Sequence, residues 1–182
     1  MASIFDKISK QAGDIRRSGT WYRNAVSSLG AVTPSRAMKD GRLNARPAVG
    51  RLNLFFYDPK TKAKLPYYDT FPLVLPIGPA PKGMYGLNFH YLSPMVRFRL
   101  LQFLERYASN RKFDSTTRID VDWGQIGKNS LVRATVKRYL WAHVRSNFLR
   151  INADDAPTAV YLPVQRFKKA SAASVYARSR GA

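Results

Sequence analysis

The chain of 182 residues has no cysteine and only two histidines, His90 and His143. The lack of cysteine excludes disulfide bonds, thiolate metal sites and a cysteine nucleophile. The two histidines show no metal-binding spacing, so we interpret both as packed or hydrogen-bonded. The G-x-S-x-G pattern of a nucleophile elbow and the glycine loop of a phosphate-binding site do not occur. We therefore predict a non-enzymatic protein with no cofactor, no metal and no small-molecule substrate.

Long hydrophobic runs are also missing. No apolar stretch approaches the ~20 residues of a membrane span. The N-terminal segment lacks the apolar region of a signal peptide. We expect a soluble protein that is not exported by that route and has no membrane partner. Binding to an anionic membrane through the amphipathic N-terminus is the last-ranked hypothesis.

Acidic residues are scarce. Lys and Arg number 31 against 11 Asp and Glu, which gives a net charge of +20 and a pI of about 10.7. Such a chain attracts polyanions, so nucleic acid, an acidic protein or an anionic membrane surface are the candidate partners. Hydrophobic residues make up 45% and aromatic residues 13% of the chain, which is typical of a globular protein.

Two carboxylates stand in a metal-compatible pattern. Asp120 and Asp122 alternate in "RIDVDW", a possible short strand, and both could face one side of it and hold Mg²⁺. Surface or turn carboxylates are the alternative interpretation.

Composition divides the chain into three predicted parts. Residues 1–50 form a helical arm and an extended linker, in which Gly13 and Gly19 favour two short helices over one. The arm either packs on its own domain or lies on a neighbouring subunit. Residues 51–165 form a compact domain. Residues 166–182 form a basic tail without acidic residues.

The first half of the compact domain is typical of an antiparallel meander, with strands predicted at residues 51–57, 71–77 and 84–92. Prolines bound the second of these strands, and proline lacks the N–H that a strand ladder needs. We therefore expect it to be an edge strand or an interrupted one. A final strand is predicted at residues 159–164.

Two helices are predicted in the second half. The first begins at Ser93-Pro94 and runs to about Ala108, with Arg97 and Arg106 facing outward. The second spans residues 131–149, because apolar residues recur at every fourth position. The predicted fold class is α+β: a small antiparallel sheet or partial barrel packed with two amphipathic helices, plus an N-terminal helical arm and a basic C-terminal tail.

The basic helix at 131–149 is the strongest candidate contact surface. Arginine beside an exposed aromatic residue can grip phosphates and stack on bases. A solvated helix face with Trp141 in the core is the alternative, as is a disordered tail at the C-terminus. The candidate partner or DNA contacts are Arg16, Arg17, Arg23, Arg133, Lys137, Arg138, Trp141, Arg145, Arg166, Lys168, Lys169, Arg178 and Arg180.

The stretch "LPYYDTFPLVLPI" combines three prolines with three aromatic residues and a single charge, Asp69. Nothing near Asp69 is a second catalytic carboxylate, and tyrosine brings both apolar area and a hydroxyl. We therefore interpret the stretch as architecture. The candidate core or interface residues are Tyr67, Tyr68, Phe71, Leu73 and Leu75.

This stretch, with "GMYGLNFHYLSPMVRFRLLQFL", "VKRYLWAHVRSNFLRI" and "YLPVQRFKKASAASVYARSR", resembles a set of small proteins of T4-like tailed bacteriophages, including cyanophages. The resemblance covers most of residues 54–180, and "LPYYDxFPLVLP" and "GLNFHYL" are its most specific parts. It implies a structural protein of the virion tail, baseplate or neck. Such a protein would be made in the host cytoplasm and would bind acidic surfaces of other virion proteins through its basic extensions.

The alternative hypothesis is a nucleic-acid-binding protein that contacts DNA phosphates through the basic helix 131–149. Its affinity for DNA should then fall steeply as the salt concentration rises.

Overall fold

The computed structural model describes residues 2–39 and 42–180, and for Arg180 the backbone alone. The helices are α1 (Ile4–Ala12), α2 (Gly19–Ser27), α3 (Pro34–Met38), α4 (Pro94–Glu105), α5 (Trp123–Ile126), α6 (Ser130–Thr135), α7 (Ala156–Tyr161) and α8 (Ala172–Arg180). The strands are β1 (Leu43–Asn44), β2 (Leu52–Leu54), β3 (Tyr68–Asp69), β4 (Leu73–Ala80), β5 (Gly83–Asn88), β6 (Val136–Leu140), β7 (Phe148–Ile151) and β8 (Phe167–Lys168). Short 3₁₀ turns lie at Phe89–Tyr91 and Trp141–His143.

Six strands form one antiparallel sheet in the order β1-β7-β2-β4-β5-β6, and β3 pairs with β8 in a separate ribbon. β1 and β6 lie at opposite edges, so the sheet is open and does not close into a barrel. The predicted α+β class with an antiparallel sheet is confirmed. In the part of the chain described, no helix is long and apolar enough to cross a membrane.

Both faces of the sheet are buried. Because side chains alternate between the two faces along each strand, neighbouring residues join different hydrophobic clusters. On β4, Leu73 and Leu75 join the main core under the helices, whereas Val74 joins a smaller cluster on the opposite face. That smaller cluster is rich in aromatic rings, with Phe55 at its centre.

The proline-bounded strand is interrupted, as one of the two alternatives predicted, but it is not an edge strand. β4 lies between β2 and β5, and its register with β5 shifts between Pro76 and Gly78. Pro76 has no N–H to donate, and a register irregularity is where a central strand tolerates such a residue.

The prediction of a helix over residues 131–149 is wrong. The segment instead forms α6, the edge strand β6, a 3₁₀ turn and the first part of β7. Its apolar residues recur every four positions, and four is both about one helical turn and an even number of strand residues. The spacing therefore fits either structure, and pairing with β5, from Leu87↔Val136 to Gly83↔Leu140, decides for a strand.

Two further predictions are wrong. Residues 159–164 do not form a strand: residues 159–161 end α7, all of which is buried, so no polar face marks its helical period. Arg97 on α4 is fully buried and does not face outward. Its guanidinium donates to Leu92 O (2.7 Å), Val160 O (3.1 Å) and the Tyr176 hydroxyl (2.9 Å).

The N-terminal helices pack on the chain's own core. Ile4, Phe5 and Ile8 of α1 are buried in the main cluster with the sheet residues. Gly13 ends α1 with a φ of 70°, which explains the predicted break into two helices. β1 extends the sheet by pairing with β7.

The basic tail is also folded. β8 pairs with β3, and Val175 of α8 is fully buried. The predicted division into arm, domain and tail stays a prediction.

Candidate functional site

Asp69, the lone charge of the stretch "LPYYDTFPLVLPI", is a buried hydrogen-bond centre. Its Oδ1 accepts from the backbone N–H of Phe71 (3.0 Å) and of Arg166 (3.1 Å). Its Oδ2 accepts from Asn88 Nδ2 (3.1 Å) and His90 Nδ1 (2.9 Å). The carboxylate therefore joins the start of β4, the end of β5 and the segment leading into β8.

The protonation states follow from this geometry. Burial raises the pKa of the Asp69 carboxyl, but His90 and the backbone donors outweigh it, so the net pKa lies below its usual value. Burial, with a smaller contribution from the Arg97 charge, lowers the pKa of His90 despite the neighbouring carboxylate. A carboxylate only accepts, so the neutral imidazole must carry its proton on Nδ1.

Beside this centre lies a depression of about 590 Å³, which we call the tyrosine groove. Five tyrosines line it: Tyr57, Tyr67, Tyr68, Tyr91 and Tyr139. Tyr57, Tyr91 and Tyr139 are buried and form the floor, and the Tyr57 hydroxyl accepts from Leu140 N at 3.0 Å. Tyr67 and Tyr68 are half-buried, so part of each ring faces the open groove.

Three cations line the same groove: Lys60, Lys137 and Arg138. Lys60 and Arg138 are exposed, whereas Lys137 is half-buried with its Nζ 4.2 Å from the centre of the Tyr91 ring. Among the described residues, the Lys137 ammonium has neither a carboxylate nor a hydrogen-bond acceptor as a partner, and burial lowers its pKa. The only carboxylate in the described lining is Asp69, whose oxygens already accept four hydrogen bonds.

The C-terminal tail holds one wall of the groove in place. The Lys169 ammonium donates to the carbonyls of Lys62 (2.6 Å), Ala63 (3.2 Å) and Leu65 (3.0 Å). The Arg178 guanidinium lies over the Tyr67 ring at 5.3 Å. Within the chain both cations therefore fix the loop of residues 62–67, and their role as partner contacts stays a prediction.

Two other depressions have different chemistry. One of about 390 Å³ is lined by Ile77, Gly78, Tyr85, Trp123 and Val136 and contains no cation in its described lining. The other, of about 660 Å³, mixes four cations with three carboxylates: Lys10, Arg16, Arg111, Lys112, Asp14, Asp114 and Asp154. The tyrosine groove thus has the largest excess of positive charge over available carboxylate among the three.

The structure separates the other predicted contacts. Arg16 pairs with Glu105, and Arg17 donates to Ala12 O at 3.0 Å. Arg166 donates to Gln165 O at 2.8 Å. Arg145 donates to Ala142 O at 2.7 Å and lies 3.8 Å from an Asp58 oxygen. The remaining predicted contacts outside the groove, all exposed, are Arg23, Arg133, Trp141 and Lys168. The side chain of Arg180 lies outside the described part.

The stretch "LPYYDTFPLVLPI" contributes both to the core and to the groove. Phe71, Leu73 and Leu75 are fully buried in the main core, whereas Tyr67 and Tyr68 line the groove. Sequence reasoning missed the floor residues Tyr57, Tyr91 and Tyr139, and also Lys60. Reading residues 136–140 as a strand, with Lys137 and Tyr139 on one face, would have pointed to the groove.

Asp120 and Asp122, which we considered as a possible Mg²⁺ pair, belong to no larger ligand cluster among the described residues. Asp122 caps α5 by accepting from Gln125 N at 2.9 Å. No group of three or more possible metal ligands occurs in residues 2–39 and 42–180.

Comparison with known families gives a decisive match. A family model described as phage T4 terminal DNA protecting protein matches residues 3–180. The chain belongs to this family. No curated protein and no solved structure matches the chain significantly.

The family confirms the predicted resemblance to T4-like phage proteins. The predicted role as a structural protein of the tail, baseplate or neck is wrong, because the family is described by protection of terminal DNA. The predicted localisation in the virion is wrong for the same reason, and the predicted virion protein partners lose their support. DNA, which the alternative hypothesis named, is the partner type that fits the family, although the basic helix proposed as its contact does not exist.

Proposed function

We propose that the protein binds the ends of phage DNA in the host cell and protects them from degradation. Membership of the family supports the protection of DNA ends. The observation on this chain that carries the proposal is the tyrosine groove, where five aromatic rings and three cations share one concave surface. Aromatic rings with cations are the combination that binds exposed bases together with phosphates.

The overall charge supports general attraction to DNA. A net charge of +20 on 182 residues makes phosphate contact favourable over much of the surface. The exposed Arg23, Arg133, Arg145 and Lys168 lie outside the groove lining and add contacts that do not depend on base sequence. Such contacts supply affinity for any DNA, so recognition of an end must come from another feature.

Protection of a DNA end then follows from the presence of bound protein at that end. A nuclease that starts at a terminus must reach the terminal phosphodiester, and a bound protein excludes it. This mode of action requires binding and no covalent chemistry, so we propose a non-enzymatic protein. It acts for as long as it stays bound, and its effect should follow its affinity for ends.

The test compares linear and circular DNA. Linear duplex and a relaxed circle of the same sequence are mixed with increasing protein, and binding is measured by competition against a labelled linear duplex. We expect the linear form to compete better per molecule, and we expect an exonuclease that degrades from ends to be slowed as the protein saturates them. Equal competition by the circle, or unhindered digestion at saturation, would contradict the proposal.

Matched variants separate the groove from general charge. K60A/R138A removes two exposed cations of the groove, and K7A/K128A removes two exposed cations outside its lining. Both lower the net charge equally. We expect the first variant alone to lose protection of ends, and equal losses in the two variants would show that any two charges suffice.

A further inference from the structure

We infer that the tyrosine groove takes one unpaired terminal nucleotide of a DNA strand, with the base against Tyr67 and Tyr68 and the phosphate against Lys137. This inference rests on the proposed function and specifies which part of a DNA end the protein recognises. Four observations on the groove support it: its size, its half-buried rings, its unpaired ammonium and its pre-ordered wall.

The size of the groove admits a nucleotide and excludes a duplex. Its volume of about 590 Å³ lies within the roughly 300–1,000 Å³ of pockets that hold small ligands. A sphere of that volume is about 10 Å across, whereas the major groove of B-DNA alone is about 12 Å wide. A duplex therefore cannot enter, and a single nucleotide unpaired from its partner can.

The rings of the rim are positioned for stacking. Tyr67 and Tyr68 line the groove and are half-buried, so they combine a fixed position with an open surface. The Arg178 guanidinium lies over the Tyr67 ring at 5.3 Å, and the Tyr67 ring lies 5.9 Å from the floor ring of Tyr91. A ring that is already ordered loses little entropy when a base stacks on it.

Lys137 supplies the position for a phosphate. Its ammonium is half-buried over Tyr91 and, among the described residues, has no carboxylate partner. A partly desolvated cation without a counter-ion is unfavourable in the free protein, and a phosphate placed beside it would remove that penalty. Lys60 and Arg138 lie exposed in the same lining, where the next phosphate of the strand would pass.

This arrangement discriminates an end from the interior of a duplex. Both present phosphates, so phosphate contacts alone cannot distinguish them. A terminal nucleotide has a stacked neighbour on one side only, whereas an interior nucleotide has paired neighbours on both sides. The terminal nucleotide can therefore leave its stack more easily. A blunt end must first unpair its last base pair, and an overhang has no such penalty.

The experiment uses the full-length protein and four duplexes of equal paired length. They carry blunt ends, 3′ overhangs of three nucleotides, 5′ overhangs of three nucleotides, or hairpin loops that close both ends. Fluorescence anisotropy gives the affinity for each. We expect an overhang of one or both polarities to bind at least tenfold tighter than the blunt duplex, and the closed duplex to bind weakest.

Stacking is measured directly with 2-aminopurine at the terminal nucleotide or at an interior paired position. We expect protein binding to change the fluorescence of the terminal probe and to leave the interior probe unaffected. This readout uses the wild-type protein, so it does not depend on whether a variant folds.

Variants identify the residues. We expect Y67A/Y68A and K137M each to weaken overhang binding about tenfold or more. The matched controls are Y85A, an exposed tyrosine outside the groove, and K128M, an exposed lysine outside it. We expect both controls to bind like the wild type.

The outcomes separate the two proposals. If open ends bind better than closed ends, but overhangs match blunt ends and the terminal probe does not respond, the groove inference is wrong and end binding stands. If closed and open duplexes bind equally, the proposed function itself fails.

Discussion

Replacing Asp69 by asparagine tests whether its buried carboxylate organises the groove. Each oxygen accepts two hydrogen bonds, so either orientation of the new amide places an N–H₂ group against two donors. Asn88 cannot turn to compensate, because its Oδ1 already accepts from Leu73 N (3.3 Å) and His90 N (3.0 Å). His90 can move its proton to Nε2, which relieves one of the conflicts but leaves a buried N–H that has no acceptor among the described residues.

The magnitude follows from these contacts. A hydrogen bond to a charged group contributes about 1.5–3 kcal/mol and a neutral one about 0.5–1.5 kcal/mol. D69N loses at least one bond outright and weakens the others, while removal of a buried charge offsets part of the loss. We expect the free energy of unfolding to fall by about 3 kcal/mol, which is a large part of a typical domain's ~5–15 kcal/mol.

Urea denaturation followed by circular dichroism measures this change, with D58N as the control. Asp58 is partly exposed and pairs with Lys62 at 2.9 Å and with Arg145 at 3.8 Å, so its replacement should lower the free energy of unfolding much less than D69N does. A decrease in the free energy of unfolding of less than about 1 kcal/mol for D69N, with an unchanged dependence on urea concentration, would refute the reasoning.

Acid provides a second check on the same residue. The net pKa of Asp69 is lowered in the folded state, so its ionised form stabilises the protein above the unfolded pKa of about 3.9. That stabilisation is lost as pH falls through the folded pKa. The difference between wild type and D69N should therefore be constant near neutral pH and shrink below about pH 4.

Three further predictions concern other parts of the fold. A Cβ at Gly83 would lie 1.8 Å from Tyr139 O, so G83V should separate β6 from β5, and hydrogen exchange should show lost protection of the β6 amides. Burial lowers the pKa of His90, so the free energy of unfolding should decrease as pH falls below about 6.5, by at most ~1.4 kcal/mol per pH unit. A free energy of unfolding that does not change between about pH 7 and pH 5 would contradict this. K169M removes three hydrogen bonds to the 62–65 carbonyls, so limited proteolysis should cut that loop faster than in the K168M control.

Some elements could be predicted because their information is local. Ser93-Pro94 marks the start of α4, and the observed helix begins at Pro94. Gly13 marks the end of α1 through a backbone conformation that glycine adopts readily. In both cases the deciding residues lie within one turn of the boundary.

Arg97 shows what local information cannot supply. Its place on α4 gives no reason for burial, since arginine is rarely buried unless paired. It is buried because Leu92, Val160 and Tyr176 provide acceptors, and two of these lie 63 and 79 residues away in the chain. Burial lowers its pKa to about 10, so the guanidinium stays charged at neutral pH. Only the tertiary arrangement of α4, α7 and α8 brings these groups together.

The tyrosine groove could not be predicted from the sequence for the same reason. Its lining comes from residues 57, 59–61, 65–69, 91 and 137–140, so no continuous motif contains both its rings and its cations. The misassigned helix at 131–149 added to the difficulty, because it placed Lys137 and Tyr139 on different helical faces. As neighbours two apart on a strand they share one face, and that face contributes to the groove.

The positive charge of the tail is stabilised without carboxylates. Five cations and no acidic residue follow position 165, so the tail has no carboxylate side chain of its own to pair with them. Lys169 instead binds carbonyl oxygens and Arg178 lies over a tyrosine ring, so neither uses a carboxylate and neither is neutralised. Both therefore order the groove wall and still add to its positive potential. For a surface that must attract phosphates, stabilisation by neutral acceptors is more useful than an internal salt bridge, because the positive charge remains available to the ligand.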